Sequence, residues 1–311
     1  MATFQEKYIN PFTDFGFKKL FGSEFNKDLL IDFLNQTLGG REHIQDLTYL
    51  NSESQGKSES DRKAVFDLYC ENERGEKFII EVQNVLQFYF KDRSLFYATF
   101  PIQEQAIRGR DWNYALKAIY TIGILNFSFP DSRGDQRYRR EVRLMDVETH
   151  EVFYDKLTFI YLEMPNFQKK EEELETQFDK WLFLLKNLPK FQERPVKLQE
   201  RIFERVFQEA EIAKLNSEDM RAYDESLKIY RDNYSIMETR KLEMEQARQE
   251  GLEKGLQEGR QEGRQEGRQE GLEEGKQKGR IEIARTMKQA GLPLEQIASL
   301  TGLSQDQIHQ L

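Results

Sequence analysis

Residues 64–84 read AVFDLYCENERGEKFIIEVQN, and the fold turns on them. AVFDLYC and FIIEVQN are apolar runs of strand length around the polar ERGEK, so the stretch predicts strand, turn and strand, with Gly75 supplying the turn. Strand side chains alternate faces, so Glu81 and Gln83 point the same way. With the turn centred on Arg74, Asp67 falls opposite Glu81. That register needs an odd-numbered loop, which a three-residue loop with a left-handed Gly75 provides. Directly opposed residues have Cβ atoms about 4.5–5.5 Å apart. Cys70 lies an odd number of residues from Asp67, so it faces away, as a small core residue.

Two carboxylates that close repel each other, and their strand neighbours are Val, Phe, Ile and Leu. An apolar sheet does not hold uncompensated charge. A hard divalent cation with oxygen ligands resolves the conflict, and Mg²⁺ suits one or two carboxylates plus a substrate phosphate. Gln83 would then orient a water or a phosphate oxygen. Spacing alone favours the plainer reading, in which Asp67, Glu81 and Gln83 are the polar side of an amphipathic hairpin.

Outward from the hairpin, NPFTDFGFKKLFG and DLLIDFLNQTLGG are helical. Phe17, Leu20 and Phe21 share a face, as do Leu29, Phe33 and Leu38, and Gly39-Gly40 is a stop. The polar linker NSESQGKSES precedes the hairpin, and KDRSLFYATFPIQEQAIRG follows it as a helix. LKAIYTIGILNF is a buried strand, and YRREVRLMDV and KLTFIYLEM are two more. Strands mixed with helices predict an α/β fold with a mixed sheet. Composition divides the chain into an α/β region (1–165), a helical region (166–245), a low-complexity repeat (246–280) and a small helical tip (281–311).

The 311 residues suffice for about two domains. No apolar run approaches the ~20 residues of a membrane helix. The opening MATFQEKYIN has no basic segment followed by an apolar one. One cysteine excludes a disulfide framework or thiolate metal cluster, and His43, His150 and His309 are scattered. These features predict a soluble, cytoplasmic protein without a membrane role. The net charge of -9 leaves no basic tail; residues 240–280 hold ten Lys/Arg and ten Glu. Any DNA contact needs a local patch, for which Arg133, Arg137, Arg139, Arg140 and Arg143 are candidates; the alternative is an exposed hairpin with alternating arginines.

The set Asp67…Glu81-Val82-Gln83 resembles the active-site signature of the PD-(D/E)XK nuclease superfamily, and most closely its recombination-promoting nuclease (Rpn) family. Asp14-Phe15-Gly16-Phe17-Lys18 resembles that family's D-x-x-F-K opening, and Arg93 to Tyr97 its R-x-x-x-Y segment. LEMPNF, WLFLLKN and AEIAKLNSEDMRAYDESLKIYRD are similar to its later blocks, in order, so the likeness covers about residues 8–311. The resemblance implies a restriction-endonuclease-like sheet flanked by helices and a metal-dependent DNA endonuclease, linked to recombination or transposition. Asp67 and Glu81 take the metal-ligand positions with the Val82 carbonyl, and Mg²⁺ or Mn²⁺ is the ion. Asp14 approaches the same metal. Gln83 stands where most of the superfamily has lysine; Lys18 either supplies the missing charge or pairs with Asp14. Arg93 and Tyr97 share a helix face, as a phosphate contact or as a surface arginine beside a core tyrosine. Gln83 and the acidic body also admit a catalytically weak assembly or regulatory protein.

Glycine recurs every fourth residue from 251 to 279 in an E-G-R-Q repeat. Like charges at i,i+4 and about 1 kcal/mol per glycine make an isolated helix marginal. Either a partner helix compensates, which predicts a homo-oligomer through residues 246–311, or the segment is a flexible linker. In the last thirty residues Gly291 stops a helix, Pro293 begins another, and Ser304 with Gln307 forms a capping box. IASLTGLSQDQI resembles the turn of a helix-turn-helix. Its last helix offers Gln305, Gln307, His309 and Gln310 without Lys or Arg, which favours a capping or assembly module over a DNA reader.

Overall fold

A computed structural model describes residues 6–54, 64–106, 113–130 and 135–311. Helices α1 (Asp14–Phe21) and α2 (Lys27–Leu38) precede strands β1 (Leu47–Tyr49), β2 (Glu53–Ser54), β3 (Ala64–Val65), β4 (Leu68–Asn72) and β5 (Lys77–Gln83). Helix α3 (Phe90–Glu104) leads to β6 (Ile119–Leu125), β7 (Arg139–Met145) and β8 (Val152–Glu163). The helices α4 (Gln177–Asn187), α5 (Arg201–Glu209), α6 (Ser217–Gln289), α7 (Leu294–Thr301) and α8 (Gln305–His309) follow.

The hairpin closes in the predicted register. Asn72 N–H donates to the Glu76 carbonyl and Gly75 N–H to the Asn72 carbonyl, both at 3.0 Å. Gly75 has φ +78°, the left-handed region that favours glycine. Leu68 pairs with Ile80 and Cys70 with Phe78. The upstream half departs from one continuous strand: AVFDLYC splits into β3 and β4, with a bend at Asp67. Phe66 N–H turns away to the Ser52 carbonyl at 2.9 Å. The Asp67 N–H and carboxylate are engaged by Glu81 and Val82 rather than by a ladder.

β4 and β5 are interior strands of a six-stranded sheet ordered β1-β4-β5-β6-β8-β7. The β5–β6 and β6–β8 pairs are parallel, the others antiparallel. One face carries the main core, where Leu68, Cys70, Phe78, Ile80, Ile122 and Ile160 meet α1, α2, α4 and α5. Trp181 lies there against Phe21, Phe33 and Phe203. The opposite face carries α3. Phe66, Tyr69 and Ile79 pack under Tyr97 and Phe100, while Phe127, Phe129, Phe159 and Tyr161 pack with Phe90. A buried ion pair joins Arg140 to the fully buried Glu163 beside this second cluster.

The arginine patch is not free cationic surface. Arg137 pairs with Asp135, Arg140 with Asp135 and Glu163, and Arg139 and Arg143 with Glu141. Each of these arginines has a carboxylate partner, but with Arg41 also on Glu141 they share only Asp135, Glu141 and Glu163, so the patch is paired and still carries excess positive charge; Arg133 lies outside the described residues. The polar linker 51–60 is described only to residue 54.

Residues Met1–Met237 and Glu238–Leu311 form two compact units. Of the two readings of the repeat, the structure gives helix: α6 runs through all eight glycines of 251–279, and residues 241–278 are exposed. The tip has its own core of Ala284, Ile297, Leu303 and Ile308. Gly291 and Gly302, at φ +82° and +72°, end helices there, and Ser304 caps α8 in a box with Gln307. Among the described residues no helix is long and apolar enough to cross a membrane.

Candidate active site

Asp67 sits in the bend before β4 and Glu81 near the end of β5, on the sheet face that carries α3. Each carboxylate is hydrogen-bonded by the other's strand. Val82 N–H donates to Asp67 Oδ2 at 2.6 Å, and Asp67 N–H donates to Glu81 Oε1 at 3.4 Å. This reciprocal arrangement prevents the acids from turning apart. Glu81 is only 8% exposed. Burial, and then the Asp67 charge, push the Glu81 carboxyl above the ordinary carboxylate range. Burial also raises Asp67, with Asp14 adding to the rise and the Val82 N–H opposing it.

Gln83 lies two residues on, on the same face. Its Nε2 donates to Glu81 Oε2 at 3.0 Å, and its Oε1 accepts from Arg93 Nη2 at 2.6 Å. Each end of the amide is therefore engaged by one hydrogen bond, leaving one N–H and one oxygen lone pair for a further partner. Arg93, in the first turn of α3, also donates from Nη1 to Gln87 Oε1 at 2.6 Å and lies 5.7 Å from the ring centres of Phe90 and Tyr97. Tyr97 packs edge-on against Phe66 at 5.4 Å, and burial raises its phenol. It belongs to the apolar cluster beside the acids and shares a face with Arg93.

α1 reaches the site from the side. Thr13 caps it by accepting from Gly16 N–H, and Asn84 Nδ2 donates to the Phe12 carbonyl at 2.7 Å, tying the helix start to the end of β5. Asp14 acts on Asp67 through space, yet its exposed side chain pairs with Lys18 at 2.7 Å. Lys18 pairs with Asp14, and its charge also lowers the Asp67 carboxyl through space. Asp14 does not complete a three-acid cluster: among the described residues no group of three His, Cys, Asp or Glu side chains could hold a metal.

Two residues of the site escaped the sequence reading. Gly123 pairs with Glu81 across the parallel β5–β6 ladder. A Cβ there would stand 3.1 Å from the Tyr161 ring and 3.2 Å from Leu125, so the glycine gives the Tyr161 ring room to pack over the strand next to Glu81. A glycine inside a buried strand is the signal for such an approach. Gln87, in the turn before α3, carried no signal.

The donor set fits a hard divalent ion. The two carboxylates are tied together by reciprocal hydrogen bonds, Glu81 buried and Asp67 half-buried, and among the described residues neither forms an ion pair with lysine or arginine. Mg²⁺ takes one or two carboxylates and keeps several waters, so a third acid is not required.

A mixed sheet whose central hairpin presents two interlocked acids, followed by a glutamine, defines a protein of the PD-(D/E)XK nuclease class. The model of the PD-(D/E)XK nuclease family transposase matches residues 11–240, and the chain belongs to that family. A second family model, the C-terminal helix-turn-helix domain of the Rpn/YhgA-like nuclease family, matches residues 277–311. No curated protein and no solved structure matches the chain. The second match corrects the preference for a capping module. α7, the Gly302 turn and α8 share one small core in that order, as a helix-turn-helix does.

Proposed function

We propose that the chain is a divalent-metal-dependent DNA endonuclease acting inside the cell. The interlocked Asp67–Glu81 pair carries this reading. A buried and a half-buried carboxylate held together against their repulsion store unfavourable energy that a cation relieves. Asp67 and Glu81 would hold Mg²⁺, with Mn²⁺ as substitute. The Val82 peptide lies beside them, its N–H already on Asp67, and its carbonyl is the further ligand. The ion supplies a polarised phosphoryl oxygen and a more acidic bound water. The protein's own residues orient the acids and hold Arg93 beside them through Gln83. The helix-turn-helix tip would bring the enzyme to duplex DNA, in keeping with a role in recombination or transposition.

Plasmid nicking tests the reading. Cleavage is expected with Mg²⁺, none with EDTA, and none for Asp67→Ala; equal cleavage by the variant rejects the assignment. A second reading, an assembly or regulatory protein on a nuclease fold, is favoured by one observation: Lys18, the nearest lysine of α1, is paired with Asp14. Calorimetry separates the two, since Mg²⁺ or Mn²⁺ binding that disappears on Glu81→Ala contradicts a non-catalytic scaffold.

The repeat helix supports self-association. An exposed helix with eight glycines lacks the packing that stabilises most protein helices. A second copy would provide it, the glycine row permitting close approach and glutamate rows facing arginine rows. Sedimentation velocity of the full chain, in low and high salt, should show a salt-sensitive oligomer.

A further inference from the structure

We infer that Arg93 is the cation that contacts the DNA phosphate in this site, and that Gln83 is the positioning residue that aims it. This rests on the nuclease reading above and names which side chain supplies the positive charge.

Arg93 is held by neutral groups. Its hydrogen bonds run to the amide oxygens of Gln83 and Gln87, each at 2.6 Å. Among the described residues no carboxylate forms an ion pair with it, whereas Arg74, Arg137, Arg140 and Arg205 are all so paired. Its charge, felt through space by Asp67 and Glu81, is not consumed by a contact ion pair, while its position is fixed. The rings of Phe90 and Tyr97, each 5.7 Å from the guanidinium carbon, further limit its movement. A guanidinium carries five donors; two are occupied here, and the rest can grip phosphate oxygens. Lys18, the competing candidate, is engaged by Asp14 at 2.7 Å.

The chemistry of Gln83 follows from its neighbours. Glu81 Oε2 accepts in this arrangement and Arg93 only donates, so the group between them must donate to one side and accept from the other. Glutamine does both, with Nε2 toward Glu81 and Oε1 toward Arg93. Lysine has no acceptor, and its ammonium would repel the guanidinium. Glutamine at 83 is thus what allows an arginine from α3 to stand beside the acids, and the two residues form one unit.

A charge swap tests this in the full-length protein. Arg93→Gln should lower plasmid cleavage about 100-fold. With Ca²⁺ replacing Mg²⁺, so that no turnover occurs, the same variant should bind a fluorescein-labelled DNA duplex more weakly, with a salt slope lower by about one. Gln83→Lys alone should show the same cleavage loss, because it displaces Arg93. The double variant Gln83→Lys/Arg93→Gln should regain about 10-fold over either single change, the coupling expected of residues in contact. Unchanged duplex affinity and salt slope in Arg93→Gln, or wild-type cleavage by Gln83→Lys, overturns the inference. If the wild type itself does not cleave but Arg93→Gln still loses duplex affinity, the endonuclease reading fails and the phosphate contact stands.

Discussion

Replacing Asp67 by asparagine should stabilise the metal-free protein, the reverse of the usual effect of altering a buried polar residue. The Asp67 carboxyl is pushed up to about 6 from its ordinary 3.8, burial being the main cause and Asp14 the next. At pH 8 the folded protein holds it ionised at a cost of about 3 kcal/mol, taking ~1.36 kcal/mol per pH unit. Asparagine keeps an oxygen for the Val82 N–H and loses roughly 1 kcal/mol of charge-assisted bonding. It also removes the charge that raises Glu81. The net gain is about 2 kcal/mol, or about 4–8 °C in Tm for a unit of this size. A carboxyl raised on folding destabilises above its folded pKa, and the penalty fades as pH falls through about 6 toward 4. The Tm difference should therefore be largest at pH 8 and small near pH 4. Calorimetry in EDTA at both values, with fluorescence of the buried Trp181 as a second probe, is the assay. An asparagine variant less stable than wild type at pH 8, or a gain independent of pH, refutes the idea that the acids are held under electrostatic strain.

Adding millimolar Mg²⁺ should raise the Tm of the wild type and leave that of Glu81→Gln unmoved, as differential scanning fluorimetry would show. Gly123→Val should press a side chain against Tyr161 and Leu125, costing about 1–3 kcal/mol in urea unfolding. Arg140→Ala should cost about 3–5 kcal/mol in the same unfolding assay, because it leaves Glu163 buried without its partner, while duplex affinity stays within twofold, roughly. Gly75→Ala should cost about 1–2 kcal/mol, since φ +78° is strained for a residue with a Cβ.

What the sequence determined by itself was mostly local. Strand alternation and a glycine at 75 suffice to set Asp67 across from Glu81, because a three-residue loop permits that register and period-two alternation puts both acids on one face. Helix boundaries at Gly39, Gly291 and Ser304 were legible for the same reason: capping and left-handed stops depend on a few adjacent residues. Tertiary structure alone decided what meets across the chain. It brought α3 over the hairpin so that Gln83 bridges Glu81 and Arg93, ten residues apart from the arginine in sequence but in hydrogen-bond contact. It set Gly123 against Glu81 through a parallel pairing whose partners are 42 residues apart. It also gave every described arginine of the cluster at 137–143 a carboxylate partner among Asp135, Glu141 and Glu163, a pairing that counting charges along the chain does not reveal. Local rules fix which way a side chain faces; its charge and its role depend on what the rest of the fold packs against it.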